Sequence, residues 1–205
     1  MTSKRHTPVL ESPAPAVGRD IPDAILAATR DTVLAVGVRR TTLTDVARRA
    51  GVSRMTLYRL VPDVTTLVLE VMTRDFAALL HDAESEAGRR RSGRARVVAA
   101  MVEVVRRLPE EPLFQRVLDV DPELLLPYLT ERVGATQRLA VGHIRRMLAD
   151  GVADGSVRRA DVDVLATTLV TTAIPFVVSA KLLDTVGREA VLAELARMVD
   201  GWLRP

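Results

Sequence analysis

The 205-residue chain contains no cysteine, so disulfides and thiolate metal sites are excluded. Aromatic side chains are scarce: one Trp, two Tyr and three Phe. An apolar share of 48% must then rest on Leu, Val and Ala, which points to an all-α chain, because strands draw on aromatic and β-branched residues together. The three histidines, His6, His81 and His143, are scattered. The sequence contains no metal-ligand cluster, no Gly-rich phosphate loop and no Ser/His/Asp motif. The reading is therefore of a non-enzyme, with no catalytic residue, no metal and no cofactor. The first twenty residues lack an apolar stretch of signal-peptide type, and a cytoplasmic location is expected. The one long uncharged run, residues 164–180, carries four Thr, one Ser and Pro175. At seventeen residues it is short for a membrane span and reads as a helix buried against other helices.

Residues 1–19 mix Pro, Ser, Thr and charges without periodicity and read as a disordered tail, Lys4 and Arg5 included. A first helix is expected from a cap at Asp20, with Pro22 in its first turn, the stripe Ile25, Ala28, Thr32 and Val36, and a stop at Gly37. In the next helix Leu43, Val46, Ala47 and Ala50 share one face. Gly51 supplies a left-handed stop, Val52 turns inward and Ser53 caps a short helix over residues 54–60 that buries Leu57 and Val61. Two short helices joined by Gly-Val-Ser form a helix-turn-helix pattern, whose second helix is shaped for a major groove. The charge distribution agrees. From Arg39 to Arg59 there are six arginines against one acidic residue, Asp45, whereas the whole chain is only +3.

A long helix is expected from Pro62–Asp63 to about Ala87, followed by helices near 94–108, 112–120, 123–152, 161–184 and 187–203, with Pro127 splitting or kinking the third of these. Residues 89–96 hold five arginines and no acid. They read as a solvated linker, with a second nucleic-acid patch as the alternative. Between Glu110 and Glu131 six carboxylates face one arginine, an acidic solvent surface or the wall of a site for a cationic lipophilic ligand.

The run TLTDVARRAGVSRMTLYRLVPDVTTL, Thr42 to Leu67, resembles the N-terminal domain of the TetR family of bacterial transcriptional regulators. Thr42, Val46–Ala47, Ala50–Gly51–Val52–Ser53, Thr56–Leu57–Tyr58 and Leu67 carry the likeness. It implies an all-α fold of about nine helices, with a three-helix DNA-binding head over residues 20–80 and a helical effector-binding and dimerisation domain over residues 81–205. It also implies a homodimer on a palindromic operator, a small-molecule effector, no membrane, and most often repression.

Carried over position by position, the resemblance makes Thr42 a phosphate contact through its hydroxyl and backbone N–H. It lets Thr44 reach a base edge and places Ser53, Tyr58 and Arg59 on the DNA backbone. Arg54, Met55 and Thr56 would read bases, Arg54 by bidentate contact to guanine. The family commonly has an aromatic and then a lysine after the third helix; here Val61 and Val64 stand there, and Arg39, Arg40 or Arg48 would have to replace the lost charge. By the same resemblance Met101, Leu108, Phe114, Leu118, Tyr128 and Phe176 are candidate pocket liners. His143 reads as a helix-face residue or a polar pocket group. The last two helices are the dimer candidates, through Leu165, Leu169, Thr172, Phe176, Leu192, Leu195, Ala196, Val199 and Leu203. Two alternatives stand beside this reading: a DNA-binding regulator without an effector, and a helical interaction module that has lost DNA binding, which Val64 would support.

Overall fold

The computed structural model describes residues 20–130 and 133–205. The tail expected over residues 1–19, with Lys4, Arg5 and His6, lies outside them, as does Glu131. Among the described residues the regular structure is all-helical, with eleven α-helices against the nine or so expected.

Helix α1 (Asp23–Val36) starts two residues later than a cap at Asp20 would place it. Pro22 occupies the N-cap and no side chain caps the turn. Its buried face is Ile25, Leu26, Ala28, Thr29, Thr32 and Val33. The two buried threonines return their hydroxyls to the carbonyls of Ile25 and Ala28 at 2.7 Å, which satisfies groups that would otherwise be costly in an apolar interior. Helix α2 (Leu43–Arg49) is capped by Thr42, whose hydroxyl accepts the Asp45 N–H at 3.1 Å. Gly51 at φ +68° reverses the chain as expected, and Ser53 caps helix α3 (Arg54–Leu60) through the Thr56 N–H at 3.1 Å. Leu57 and Val61 pin α3 to the head core, both essentially unexposed. Truncating such a leucine to alanine costs about 2–5 kcal/mol.

Asp63 caps helix α4 (Val64–Ala87) through the Thr66 N–H at 2.6 Å. At 24 residues α4 spans about 36 Å, and it serves two cores. Leu67, Val68 and Val71 close the head core, while Phe76, Leu79, Leu80 and Ala87 belong to a second, larger one. That second core is built from α4, α5 (Gly93–Arg107), α8 (Ala135–Ala153), α9 (Val162–Val178) and α11 (Arg188–Leu203). Helix α6 (Pro112–Val120) sits between the cores and sends Leu113 and Val117 into the head.

The expected helix over 123–152 is two helices, α7 (Leu126–Thr130) and α8, preceded by a 3-10 turn at Pro122–Leu124. Pro127 does not split it. It lies in the first turn of α7, where a missing N–H costs nothing, and the described non-helical residues ahead of α8 are Val133 and its N-cap Gly134. The expected helix over 161–184 also divides. Pro175 is held inside α9, which ends at Val178, and a single turn, α10 (Ala180–Leu183), follows.

Where α5 starts against the end of α8 two glycines meet. A Cβ on Gly93 would overlap the backbone of Gly151. Asp154 anchors the crossing by accepting the Gly93 N–H at 2.7 Å and the Ser156 N–H at 2.9 Å.

The outer face of the last helices differs from the expectation. Leu165, Leu169, Leu192, Leu195, Val199 and Leu203 are buried inside the protomer, and Thr172, Phe176 and Ala196 are half-buried. The densest apolar ridge of each helix serves the protomer's own core. What faces outward is an uncharged stripe on α9, Val164, Thr168, Thr171 and Pro175, with Met198 and Trp202 on α11.

Candidate functional site

The three-helix head presents one polar, basic face. On α3 only Leu57 is fully buried, so Ser53, Arg54, Met55, Tyr58 and Arg59 are all exposed, Met55 to 70% and Tyr58 to 53%. Thr56 is half-buried and its hydroxyl sits 2.8 Å from that of Ser53. Thr42 is exposed at the N-terminus of α2, where its hydroxyl donates to Asp45 at 2.6 Å, and Thr44 is half-exposed two residues on, within the first turn. All eight residues singled out in the sequence therefore lie on α2, α3 or their N-caps. An exposed methionine and tyrosine next to arginines form a surface that can cover apolar base edges and phosphate together.

The six arginines of this region are not equivalent. Arg39 reaches away from the face to Glu123 and Asp121, with its Nε 2.8 Å from Glu123. Arg48 is held by Asp45 at 2.7 Å and Arg49 lies 3.7 Å from Asp31. Arg40 donates to the Val36 carbonyl at 2.8 Å. Among the described residues only Arg54 and Arg59 of the six have no intramolecular partner for their guanidinium. Val64 is half-buried in the first turn of α4, behind the Asp63 cap.

The contact between head and body is specific. Asp121, only 2% exposed, accepts the Val38 N–H at 2.8 Å and lies 3.5 Å from the Arg39 Nε. Gly37, at φ +83°, brings its backbone against Asp121 and Val120. The Glu123 carboxyl is held below the usual carboxylate range, by its own backbone N–H first and then by Arg39. The sequence suggests a solvent surface or a ligand wall for these acids. Glu110, Asp119 and Glu123 do stand on the solvent surface, where they pair with Arg188, Lys181 and Arg39, and Glu111 borders a cavity in the body. Asp121 alone of the described acids in this stretch is buried, 3.5 Å from Arg39. Spacing along the chain carries no sign of these long-range pairs, which is why sequence reasoning misses the role of Asp121.

A cavity of about 200 Å³ lies in the body, walled by α4, α5, α6, α8 and α9. Four of the six expected liners, Met101, Leu108, Phe114 and Tyr128, border it. Leu118 and Phe176 do not. Leu118 is half-buried one turn beyond Phe114 on α6, and Phe176 packs on the larger core. His143 also borders the cavity, with its Nδ1 2.6 Å from Glu84. Sequence reasoning passes over the carboxylates of α4: Glu70 and Asp75 line the cavity too. Burial raises the Asp75 carboxyl above its usual range, Arg30 draws it back down, and Glu111 pushes it up again. Among the described residues no three acidic or histidine side chains converge as metal ligands would, and no helix is long and apolar enough to cross a membrane.

Residues 25–70 match the bacterial regulatory proteins of the tetR family, and residues 92–182 match the tetracyclin repressor-like C-terminal domain. An uncharacterized HTH-type transcriptional regulator of Mycobacterium bovis is 34% identical over 180 residues, covering 87% of this chain and 92% of its own. Among solved structures, a TetR-family transcriptional regulator from Pectobacterium atrosepticum superposes with a TM-score of 0.67 at 19% identity, covering 88% of this chain and 91% of its own. The regulator FadR from Bacillus subtilis, solved with stearoyl-CoA, superposes with a TM-score of 0.59 at 13% identity, over 89% and 97% of the two chains. With its helix-turn-helix head and helical body, the chain belongs to the TetR family and is a DNA-binding transcriptional regulator, not an enzyme.

Proposed function

We propose that this regulator acts in the cytoplasm as a homodimeric repressor, binding a palindromic operator and releasing it when a small molecule fills the cavity. The observation that carries the effector reading is the double duty of α6. Leu113 and Val117 are part of the head core, while Leu113 and Phe114 border the cavity. Packed interiors shift between discrete arrangements and do not deform smoothly, so a molecule that displaces α6 moves the head with it. FadR, which has a fold of this kind and was solved with stearoyl-CoA, supports the reading.

The division of labour is a head over residues 20–80, an effector-binding and dimerisation body over residues 81–205, and a tail before them. On DNA, Thr42, Ser53, Tyr58 and Arg59 hold phosphates while Thr44, Arg54, Met55 and Thr56 reach bases. Arg54 and Arg59, unpaired among the described residues, supply charge at the DNA face without first breaking an ion pair there. Arg39 and Arg48, already engaged by carboxylates, are poorer replacements for the lysine that Val64 displaces. Two copies pair across the uncharged outer stripe of α9 and the Met198–Trp202 edge of α11, and a two-fold dimer matches an inverted repeat.

The test is selection of the purified full-length protein on random duplex DNA, followed by sequencing of the retained pool. An inverted-repeat consensus is the expected result. Retention without a consensus would leave a non-specific DNA binder, and no retention at moderate salt would overturn the operator reading.

A further inference from the structure

We infer that the effector is a compact lipophilic amine, a cation on an apolar body, and not a fatty acid or other anion. This rests on the cavity being an effector site, as proposed above. Three features of the cavity lead to it.

The first is charge. Glu70, Asp75 and Glu111 border the cavity, and among the described residues no lysine or arginine does. The guanidiniums that answer two of these acids stand behind them. Arg30 bonds Asp75, Arg74 lies 3.4 Å from Glu70 and 3.3 Å from Asp23, and both arginines border a separate depression between α1 and α4. Glu111 has no ion-pair partner among the described residues and is close enough to Asp75 to act on it. In an apolar cavity an entering anion meets like charge at Glu70, Asp75 and Glu111, and His143, the basic side chain on the described wall, is already engaged by Glu84. An ammonium instead meets unspent negative potential at Glu111.

The second is the use of scarce residues. The chain has six aromatic side chains, and three of them, Phe76, Phe114 and Tyr128, border this one cavity. Aromatic faces attract ammonium groups electrostatically, more strongly once water is excluded. Methionines Met72, Met101 and Met147 fill much of the remaining wall and can adapt to the outline of a flexible apolar body.

The third is size. A cavity of roughly 150 Å³ accepts benzene, so about 200 Å³ takes one ring and a short chain. The stearoyl chain of the ligand in FadR is too large for this volume, and the anionic phosphates of its CoA group are of the wrong sign.

The experiment measures binding of three near-isosteric probes, phenylbutylamine, phenylbutanol and phenylbutyrate, to the full-length protein, by calorimetry and by thermal shift. The amine should bind at least roughly ten-fold more tightly than the carboxylate, with the alcohol between them. Glu111→Gln should shrink the amine-to-alcohol ratio several-fold while leaving the alcohol's affinity unchanged. Because Asp75→Asn could unseat Arg30, Glu111→Gln is the primary variant and Glu70→Gln the second. Binding of the carboxylate or the alcohol with affinity equal to or above the amine's overturns the inference and leaves the effector cavity standing. Absence of binding by all three overturns the inference and the effector reading of the cavity together. An amine preference that survives both glutamine variants also overturns it, because the carboxylates would not be its source.

Discussion

Asp121 accepts the Val38 N–H at 2.8 Å and so fastens the turn after α6 to the turn after α1. The two residues are 83 positions apart in sequence, and the acceptor is almost completely buried. Removing it strands the Val38 N–H and deprives Arg39 of one of its two acids. Asp121→Ala should cost about 1.5–3 kcal/mol, read as a lower urea midpoint at constant slope. Glu123→Gln, at the exposed end of the same clasp, should cost less than about 1 kcal/mol. Equal effects of the two substitutions would show that burial of Asp121 contributes nothing.

The glycine crossing predicts opposite signs for the same chemical change. Gly93→Ala puts a methyl against the backbone of Gly151; since neither helix can give way locally, a loss of about 1–3 kcal/mol or more is expected. Gly142 lies inside α8, and a methyl added there would meet nothing within 4 Å. Gly142→Ala should therefore gain up to about 1 kcal/mol from helix propensity. Thermal unfolding of the two variants side by side decides it.

Asp154 supplies a pH signature. The Ser156 hydroxyl first, then the Gly93 and Ser156 N–H groups, hold its carboxyl below the usual range. A carboxyl depressed in the folded state contributes stability above its unfolded pKa and loses it as pH falls through the folded value. Melting temperature of the native protein should therefore drop more steeply on acidification from neutral into the acid range than that of Asp154→Asn. Parallel curves would dismiss the anchor.

On DNA, Arg54→Ala should weaken operator binding and relax the base preference at one position of each half-site, by about 1–3 kcal/mol. Arg59→Ala should weaken all duplexes alike. If a dimer neutralises about eight phosphates, log K against log salt has a slope of roughly −7, made shallower by Arg59→Ala. Unchanged base preference in Arg54→Ala would remove it from the reading set.

The pairing surface is tested by Thr168→Arg, which buries like charges across the two-fold of α9 if the proposed dimer is correct. Sedimentation should show the mass halved and palindrome binding lost, with the circular dichroism of the helices retained.

The head is legible in the sequence because its signals are local. Gly51 and the caps Thr42, Ser53 and Asp63 act within one turn, so the bounds of α3 follow from a handful of residues. The body is legible only in outline. Pro127 reads as a breaker, yet it opens α7, because position within the first turn decides what a proline does. Assigning Leu165 and Leu192 to the subunit surface fails for a related reason. An apolar ridge shows that a helix buries a face, but not whether its own chain or another covers it. The cavity carboxylates on α4 stay hidden because Glu70 and Asp75 lie in a helix whose exposed and lining positions alternate with the turn of two different cores.

The sharing of α4 and α6 between the two cores also limits how this regulator can be rebuilt. A chimaera that joined a foreign head at residue 80 would cut α4 in mid-helix, and Leu113 and Val117 of the retained body would face a core they were not shaped for. Retargeting is better sought by recoding the outward side chains of α3 alone, since Arg54, Met55, Tyr58 and Arg59 contribute almost nothing to the head's interior. The reading surface is interchangeable; the scaffold that aims it is not.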